Sequence, residues 1–473
     1  MGDEFKKVVL MISIPGSDND FLLSLPTLKA YMIGFPNVNS KYEFVIIDFK
    51  NSDTLEYIRS IIQQTKYNIL CLSCYTWNKD KIFGLLDLDA EKIIVGGPQI
   101  GTDKIDGNIY YVSNEGEEKL YTILMEEESP QKSLYERASP YLSGCVNKDT
   151  LLRKGMRFNI ETSRGCRFRC SYCKYHTNRP LVTYRNLDDV IHELMYVESL
   201  GLKTGRFVDS DFANNITRST ELLNKMVNIH LKLGMEININ FITEKFIDAL
   251  KKYIDAGNDV ITGIGIQSAN IDSLRCVNRY RDIATETINY KRLSEIGAMI
   301  RIDFIMGLPY ETFNTYSNTI ELICSMLRYN KSFPDLCRLY LISGTELERK
   351  ANTYNLKCDE IGLIISTDHM KQSELDYFDA INGVVNRIFH PTDIDNNLFD
   401  LRKSFFDCVD RNNVSNLLVL EAIRVKYNIH KNTNDYFYRN VIKDIDYTDL
   451  IKYLGDLNFD KNITNSTAIQ YYV

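Results

Sequence analysis

Twice along the chain, short and almost wholly apolar runs alternate with helical stretches, and this alternation restricts the fold more than any other feature. In the first series "KVVLMISIP", "YEFVIIDF", "YNILCLSCYT" and "KIIVGGP" read as strands, with "LPTLKAYMIG" and "TLEYIRSIIQQT" as helices between them. A strand apolar along its length is covered on both faces, and strands joined through helices run parallel. The expectation for residues 1–125 is therefore a doubly wound, Rossmann-like α/β domain. Ligands of such sheets sit outside the carboxyl ends of the strands. Here those exits are "SIPGSDND", "SCYTWN", "GGPQIG" and "VSNEGEE", all polar or glycine-rich.

Residues 126–156 lose the periodicity and carry two prolines, as a linker does. A second series fills 157–354, with strand candidates "FNIETS", "TGRFVDSD", "EININFIT", "VITGIGIQS", "MIRIDFIMG" and "CRLYLIS". Six βα units predict a partial (β/α)6 barrel whose chemistry gathers at the carboxyl ends of its strands. Residues 355–473 read as a mainly helical C-terminal region, clearest in "SELDYFDAINGVVNRIF" and "SNLLVLEAIRVKYNI". A chain of 473 residues with 44% apolar and 25% charged residues has enough material for several buried cores. A net charge of -7 gives no support to nucleic-acid binding, and no apolar run reaches a membrane span. The N-terminal apolar run fits a first strand better than a signal peptide, and 11 scattered Cys do not form a disulfide framework. A cytoplasmic location is expected.

Against that scatter stands "CRFRCSYC", with Cys166, Cys170 and Cys173 on one loop behind the first strand of the second series. Structural zinc takes four ligands in paired knuckles, and no second knuckle lies nearby. Iron–sulfur clusters are held by thiolates, usually four, so three would leave one iron open to a substrate or cofactor. Buried packing is the plainer alternative, for which Arg167, Arg169 and Lys174 are poor companions.

The motif resembles the C-x3-C-x-aromatic-C signature of the radical S-adenosylmethionine (radical SAM) superfamily. The resemblance implies that the three Cys hold a 4Fe-4S cluster whose open iron chelates SAM, and that reductive cleavage yields a 5'-deoxyadenosyl radical. It places Tyr172 near the adenine, and Asp209, Asp211, Gly265, Gln267 and Ser268 near SAM, with "DFIMGLPYET" and "LISGTEL" as the matching fifth and sixth strand exits. Asp211 reads equally as a helix N-cap.

The first series resembles the cobalamin-binding domain that precedes the barrel in one subfamily. The positions it implies are Ser73, Tyr75, Thr76, Trp77, Asn78, Gly96, Gly97, Pro98, Gln99, Glu115, Gly116 and Glu117. The cobalt-ligating D-x-H-x-x-G string is absent, and Trp77 stands where the lower face of the corrin would lie, with core packing as the alternative. Cys71 and Cys74 read as core thiols on one face of a strand.

The resemblance implies a cobalamin-dependent radical SAM methyltransferase that C-methylates an unactivated carbon of a peptide or natural-product intermediate. Its partners would be that peptide or small-molecule substrate and a reductant such as flavodoxin or ferredoxin. Rearrangement, epimerisation, cyclisation or cross-linking without methyl transfer, with or without cobalamin, is the alternative. A non-catalytic cobalamin carrier or sensor ranks below both.

Overall fold

A computed structural model of the protein describes residues 6–113, 115–130, 132–177, 181–328, 331–389, 398–427, 429 and 450. The first series forms a six-stranded sheet from β1 (Lys7–Ser13), β2 (Tyr42–Asp48), β3 (Ile69–Ser73), β4 (Lys92–Gly96), β5 (Lys104–Asp106) and β6 (Ile109–Val112). Their order is β2-β1-β3-β4-β6-β5, parallel except for the β5/β6 hairpin. That hairpin was not expected from periodicity, although the Asp106–Gly107 step, with Gly107 at φ +61°, is a turn signal.

Alternate residues of each central strand enter different layers, which is why the runs are apolar throughout. Val9, Met11, Cys71 and Ile94 pack with Leu25, Tyr31 and Leu120, while Leu10, Ile12, Leu70 and Val95 pack with Ile58 and Ile62. Cys71 and Cys74 are both buried but belong to opposite layers, not to one face, because an odd spacing reverses the side chain in a strand.

The second sheet contains β7 (Phe158–Ile160), β10 (Thr204–Phe207), β11 (Lys232–Ile237), β12 (Asp259–Gln267), β13 (Met299–Met306) and β14 (Ser332–Arg338). A separate two-stranded ladder, β8 (Ser163–Arg164) with β9 (Thr183–Tyr184), stands at its entrance. The six strands lie side by side in chain order and every neighbouring pair is parallel, giving the partial barrel. Unlike the first sheet, only one face is sealed. On β11 and β13 buried residues alternate with Glu236, Arg301 and Asp303, which face a polar interior.

Two strands lie about five residues earlier than their sequence reading. The third ends at Ile237 because Asn238 accepts a hydrogen bond from the Asn240 amide and starts a turn. The sixth contains Pro334, which argues against a strand but is tolerated because β14 is the edge of the sheet. The C-terminal helix Gln372–Phe389 covers that edge. Its Phe378, Ile381 and Val385 join the barrel core, and Asp376 pairs at 2.9 Å with buried Arg338 at the end of β14. Most of the predicted C-terminal region beyond Ile429 lies outside the described residues. No described helix is long and apolar enough to cross a membrane.

The two sheets are locked together along defined seams. The segment after β1 reaches the barrel, where Asp20 accepts from Asn159 at 2.8 Å and pairs with Arg206 at 2.7 Å, and Phe21 enters the barrel core. On the other side Gly101, beyond β4, lies so close to the segment after β14 that a side chain there would meet Ser343 Oγ at 2.5 Å. Segments at the carboxyl ends of both sheets thereby meet.

Candidate active site

The loop holding the three Cys is built from the strand exit outward. Asp209, just beyond β10, accepts from the Thr162 amide at 2.7 Å, from Thr162 Oγ1 at 2.6 Å and from Ser163 Oγ at 2.7 Å. Burial raises its carboxyl to about 6 against the pull of those bonds. Gly165 then turns the chain at φ +94°, where any side chain would sit 2.8 Å from the Leu181 carbonyl. Ser210 Oγ donates to the Gly165 carbonyl at 2.5 Å, and the far end of the loop is tied by Ser171 to Val277 and by Leu347 to Ser171. Asp209 is thus fully used in shaping the loop.

Cys166 and Cys170 are buried and Cys173 is half-buried. Burial raises Cys166, and lifts Cys173 to about 12, with the neighbouring thiols adding to the latter effect. Thiols so placed ionise only against a cation, as metal binding provides. Among the described residues no three His, Cys, Asp or Glu side chains converge as tightly as a single metal ion requires. Thiolates are the ligands of iron–sulfur clusters, so the residue types gathered on this loop suit such a group.

Arg279 supplies the positive charge beside them. It reaches Cys170 Sγ at 3.9 Å and donates to the Gly265 carbonyl at 2.5 Å. A side chain at Gly265 would overlap the Gln267 amide and press on Arg279, while Gln267 itself sits at φ +71°. The need for glycine there is a close approach of three groups. Arg279 was missed in the sequence because "NRYRD" has no periodicity that singles out one of its cations.

Tyr172 packs partly buried against the barrel core. Asp211 receives the amides of Ala213 and Asn238 on Oδ1, while its buried Oδ2 has no hydrogen-bond partner among the described residues. An orphaned acceptor beside the cysteine loop is a fitting partner for an ammonium or hydroxyl of a bound SAM. Ser268 instead donates to Glu311 at 2.9 Å, and Glu311 also receives the Gly307 amide at 2.7 Å. Glu311 is fully buried, which raises its carboxyl to about 8. It fastens the exits of β12 and β13 to each other, a role that the expectation for "GLPYET" did not assign to it.

Below these exits, the interior holds Arg301 against Glu236 at 2.6 Å and Asp303 at 2.8 Å. The pair passes across Gly263, where a side chain would displace the Glu236 carboxylate. Burial, then Glu236 and Asp335, raise Asp303 to about 7 despite Arg301.

In the first sheet, β1 and β3 flank the point where the strand order reverses, the usual ligand crevice of this topology. Asn78 is buried there. Its amide donates to Ile14 at 2.9 Å and Ser73 at 3.0 Å, and its oxygen accepts from the Tyr75 amide. Trp77 is 48% exposed, so it is no core residue. Its Nε1 donates to Ile14 at 3.2 Å, its ring lies over Gly16, and Tyr75 stacks on it at 4.5 Å and 12°.

Gly97 at φ +112° admits the Cys74 backbone, preceding the exit residue Pro98, and Gln99 donates to Thr76 at 2.6 Å. Ser73 Oγ meets Ser24 Oγ at 3.2 Å. A flat aromatic face flanked by glycines suits a large planar ligand.

Glu115 precedes the helix Gly116–Met125, which Gly116 and Glu117 open. Glu117 is buried between Arg164, at 2.7 Å, and Arg137, at 3.0 Å, and Glu115 also contacts Arg164. Burial would lift Glu117, but the two guanidiniums outweigh it and bring the carboxyl to about 2. These acids bind the first domain to the root of the cysteine loop. Lys174, inside the loop, donates to the Ser343 carbonyl at 2.7 Å and so joins it to the Gly101 seam.

Residues 160–323 match the family model of the Radical SAM superfamily. The cobalamin-dependent radical SAM methyltransferase TokK of Streptomyces tokunonensis is 24% identical over 347 residues, covering 62% of this chain and 50% of that protein. The chain spans about half the length of such curated relatives. Among solved structures, the cobalamin-dependent SAM radical enzyme OxsB, with aqua-cobalamin and SAM bound, superposes with a TM-score of 0.64 at 13% identity, over 99% of this chain and 82% of that one. The radical SAM methyltransferase TsrM of Kitasatospora setae, with tryptophan and a SAM analogue bound, gives 0.57 at 16% identity over 75% and 78%. These likenesses show the fold.

Proposed function

We propose, from the match of residues 160–323 to the family model of the Radical SAM superfamily, that the protein is a cobalamin-dependent enzyme that C-methylates a small natural-product or peptide substrate. The observation that carries this reading is the thiol loop at the exits of one sheet and the stacked Tyr75–Trp77 pair at the exits of the other, with the two sets of exits joined through Lys174 and Ser343 and through Glu117 and Arg164. Cys166, Cys170 and Cys173 would hold a 4Fe-4S cluster, Asp211 would receive a donor of SAM, and the Tyr75–Trp77 face with Gly96 and Gly97 would carry cobalamin. When bound, these groups would supply a hydrogen-abstracting radical and a transferable methyl group.

The protein's own part is placement and exclusion of water. Asp209 fixes the loop root through three hydrogen bonds, and Arg279 offsets negative charge at Cys170. Glu311 keeps the β12 and β13 exits in register, and Arg301, Glu236 and Asp303 line the interior in which a polar substrate would lie. The division into 1–125, 126–156, 157–354 and 355–473 follows these roles, with the helix Gln372–Phe389 of the last part covering the edge of the barrel sheet.

The test is iron, sulfide and cobalamin per chain after anaerobic reconstitution with hydroxocobalamin and gel filtration. About four irons and one cobalamin support the reading, and candidate products are then screened for a methyl mass shift. A full iron complement with no retained cobalamin turns it to rearrangement or cross-linking. A chain that binds no iron refutes it.

A further inference from the structure

The inner face of the barrel is not balanced in charge. Arg301 on β13 is met by Glu236 at 2.6 Å, Asp303 at 2.8 Å and Asp335 at 3.6 Å, so three carboxylates face one guanidinium. The other cations around the interior are already matched. Arg206 pairs with Asp20 at 2.7 Å, and Lys232 stands in register with Asp259 at the amino end of the sheet. Arg164 is held by Glu115, Glu117 and Glu161, and Arg279 serves Cys170 and Gly265.

Asp335 is the carboxylate of this group with acceptor capacity to spare. It lies opposite Asp303 in the β13/β14 register, too far from Arg301 for a hydrogen bond, and its side chain is 60% exposed although it stands on a strand of the barrel wall. Cys337, two residues on and therefore on the same face, is exposed as well. The interior beside β14 is open because β14 is the edge of the sheet. Tyr175, two residues past Cys173, also presents its ring to this opening: it is half-exposed, yet the surrounding protein raises its phenol, with Cys173 and Glu236 adding to the effect. A carboxylate with free lone pairs, a second carboxylate beside it and a bare aromatic ring are surroundings that stabilise an ammonium or guanidinium and repel an anion.

We infer that Asp335, with Asp303 beside it, determines specificity in the substrate space and selects a substrate that carries a cationic nitrogen. The inference rests on the proposed reading of the barrel interior as the place where the substrate lies. Gly265 is in register with Asp303, and Asp303 with Asp335. A nitrogen held at Asp335 therefore stands two strand spacings, about 10 Å, from the exit that Arg279 ties to Cys170. The cation of the substrate lies several bonds from the carbon that reacts.

The test uses Cys337 as a reporter in the full chain, iron-free and reconstituted, with Cys358, exposed on a separate two-stranded ladder, as the reference thiol. Labelling by aminoethyl and by sulfonatoethyl methanethiosulfonate, a cationic and an anionic reagent of similar size, is followed by peptide mass spectrometry. At low salt the preference for the cationic reagent should be about tenfold greater at Cys337 than at Cys358, and Asp335→Asn and, separately, Asp303→Asn should each reduce it by about threefold or more. Diaminopentane should slow labelling of Cys337 by uncharged methyl methanethiosulfonate in the parent and not in Asp335→Asn, whereas pentanediol should slow it in neither. Equal preference at the two thiols, a preference that survives both substitutions, or equal protection by diamine and diol overturns the inference, and so does a Cys337 that no reagent reaches. None of these readouts depends on iron. A chain that shows the expected labelling yet takes up no iron keeps the inferred charge of this wall and loses the proposed function, while one that takes up iron and fails the labelling loses only the inference.

Discussion

Replacing Glu117 by Gln removes the negative charge that Arg164 and Arg137 share beneath the cysteine loop. The parent carboxylate is almost wholly buried and is held from its ordinary 4.5 down to about 2. That depression corresponds to about 3 kcal/mol of folding stability. Because the folded value lies below the unfolded one, this stability is fully present above about pH 4.5 and is lost as the pH falls through about 2. Glu115 and Glu161 still face Arg164 in the variant, so the loss falls at the lower end of the 3–5 kcal/mol typical of a broken buried pair.

The assay is calorimetric melting of parent and Glu117→Gln at pH 7 and at pH 3. At pH 7 the variant should melt about 3 °C lower. At pH 3 the gap should narrow, since the parent carboxylate is by then losing its advantage. Equal melting at pH 7 would mean that the ion cluster contributes nothing net, and an undiminished gap at pH 3 would mean that the lost packing, not the charge, carries the effect.

Glu311 provides the opposite sign. Its carboxyl is raised to about 8, so the parent loses stability as the pH climbs from about 4.5 to 8; Glu311→Gln, which can still accept from Gly307 and donate to Ser268, should match the parent within about 1 kcal/mol at pH 5 and melt higher at pH 9. Gly97→Ala places a side chain at φ +112° against the Cys74 backbone and should lower the stability of the first domain by about 1–3 kcal/mol, read as a shifted denaturation midpoint. Cys170→Ala should reduce iron per reconstituted chain severely while leaving the far-ultraviolet circular dichroism unchanged, and retention of a full iron complement would remove Cys170 from the ligand set.

Periodicity determined the architecture, because covering by helices acts on every residue of a strand and leaves its mark in the order of apolar side chains. The two parallel sheets and the bound thiol loop were legible for that reason, the loop because three cysteines need only close spacing in the chain to be close in space. Strand ends were read less well. At Asn238 a side-chain hydrogen bond, and at Pro334 an edge position, settled what hydropathy could not express.

What the tertiary structure alone decided is which polar side chains serve the fold and which face the ligand space. Asp209, Asn78 and Glu117 carry the residue types of binding groups, yet neighbours far along the chain take up their hydrogen bonds and charges. Arg279, Glu311 and Arg301 looked ordinary and stand at the center of the site. A polar group's role depends on whether its partners reach it, and partners such as Gly307 for Glu311 or Glu236 for Arg301 are set by the closing of the barrel rather than by sequence spacing alone.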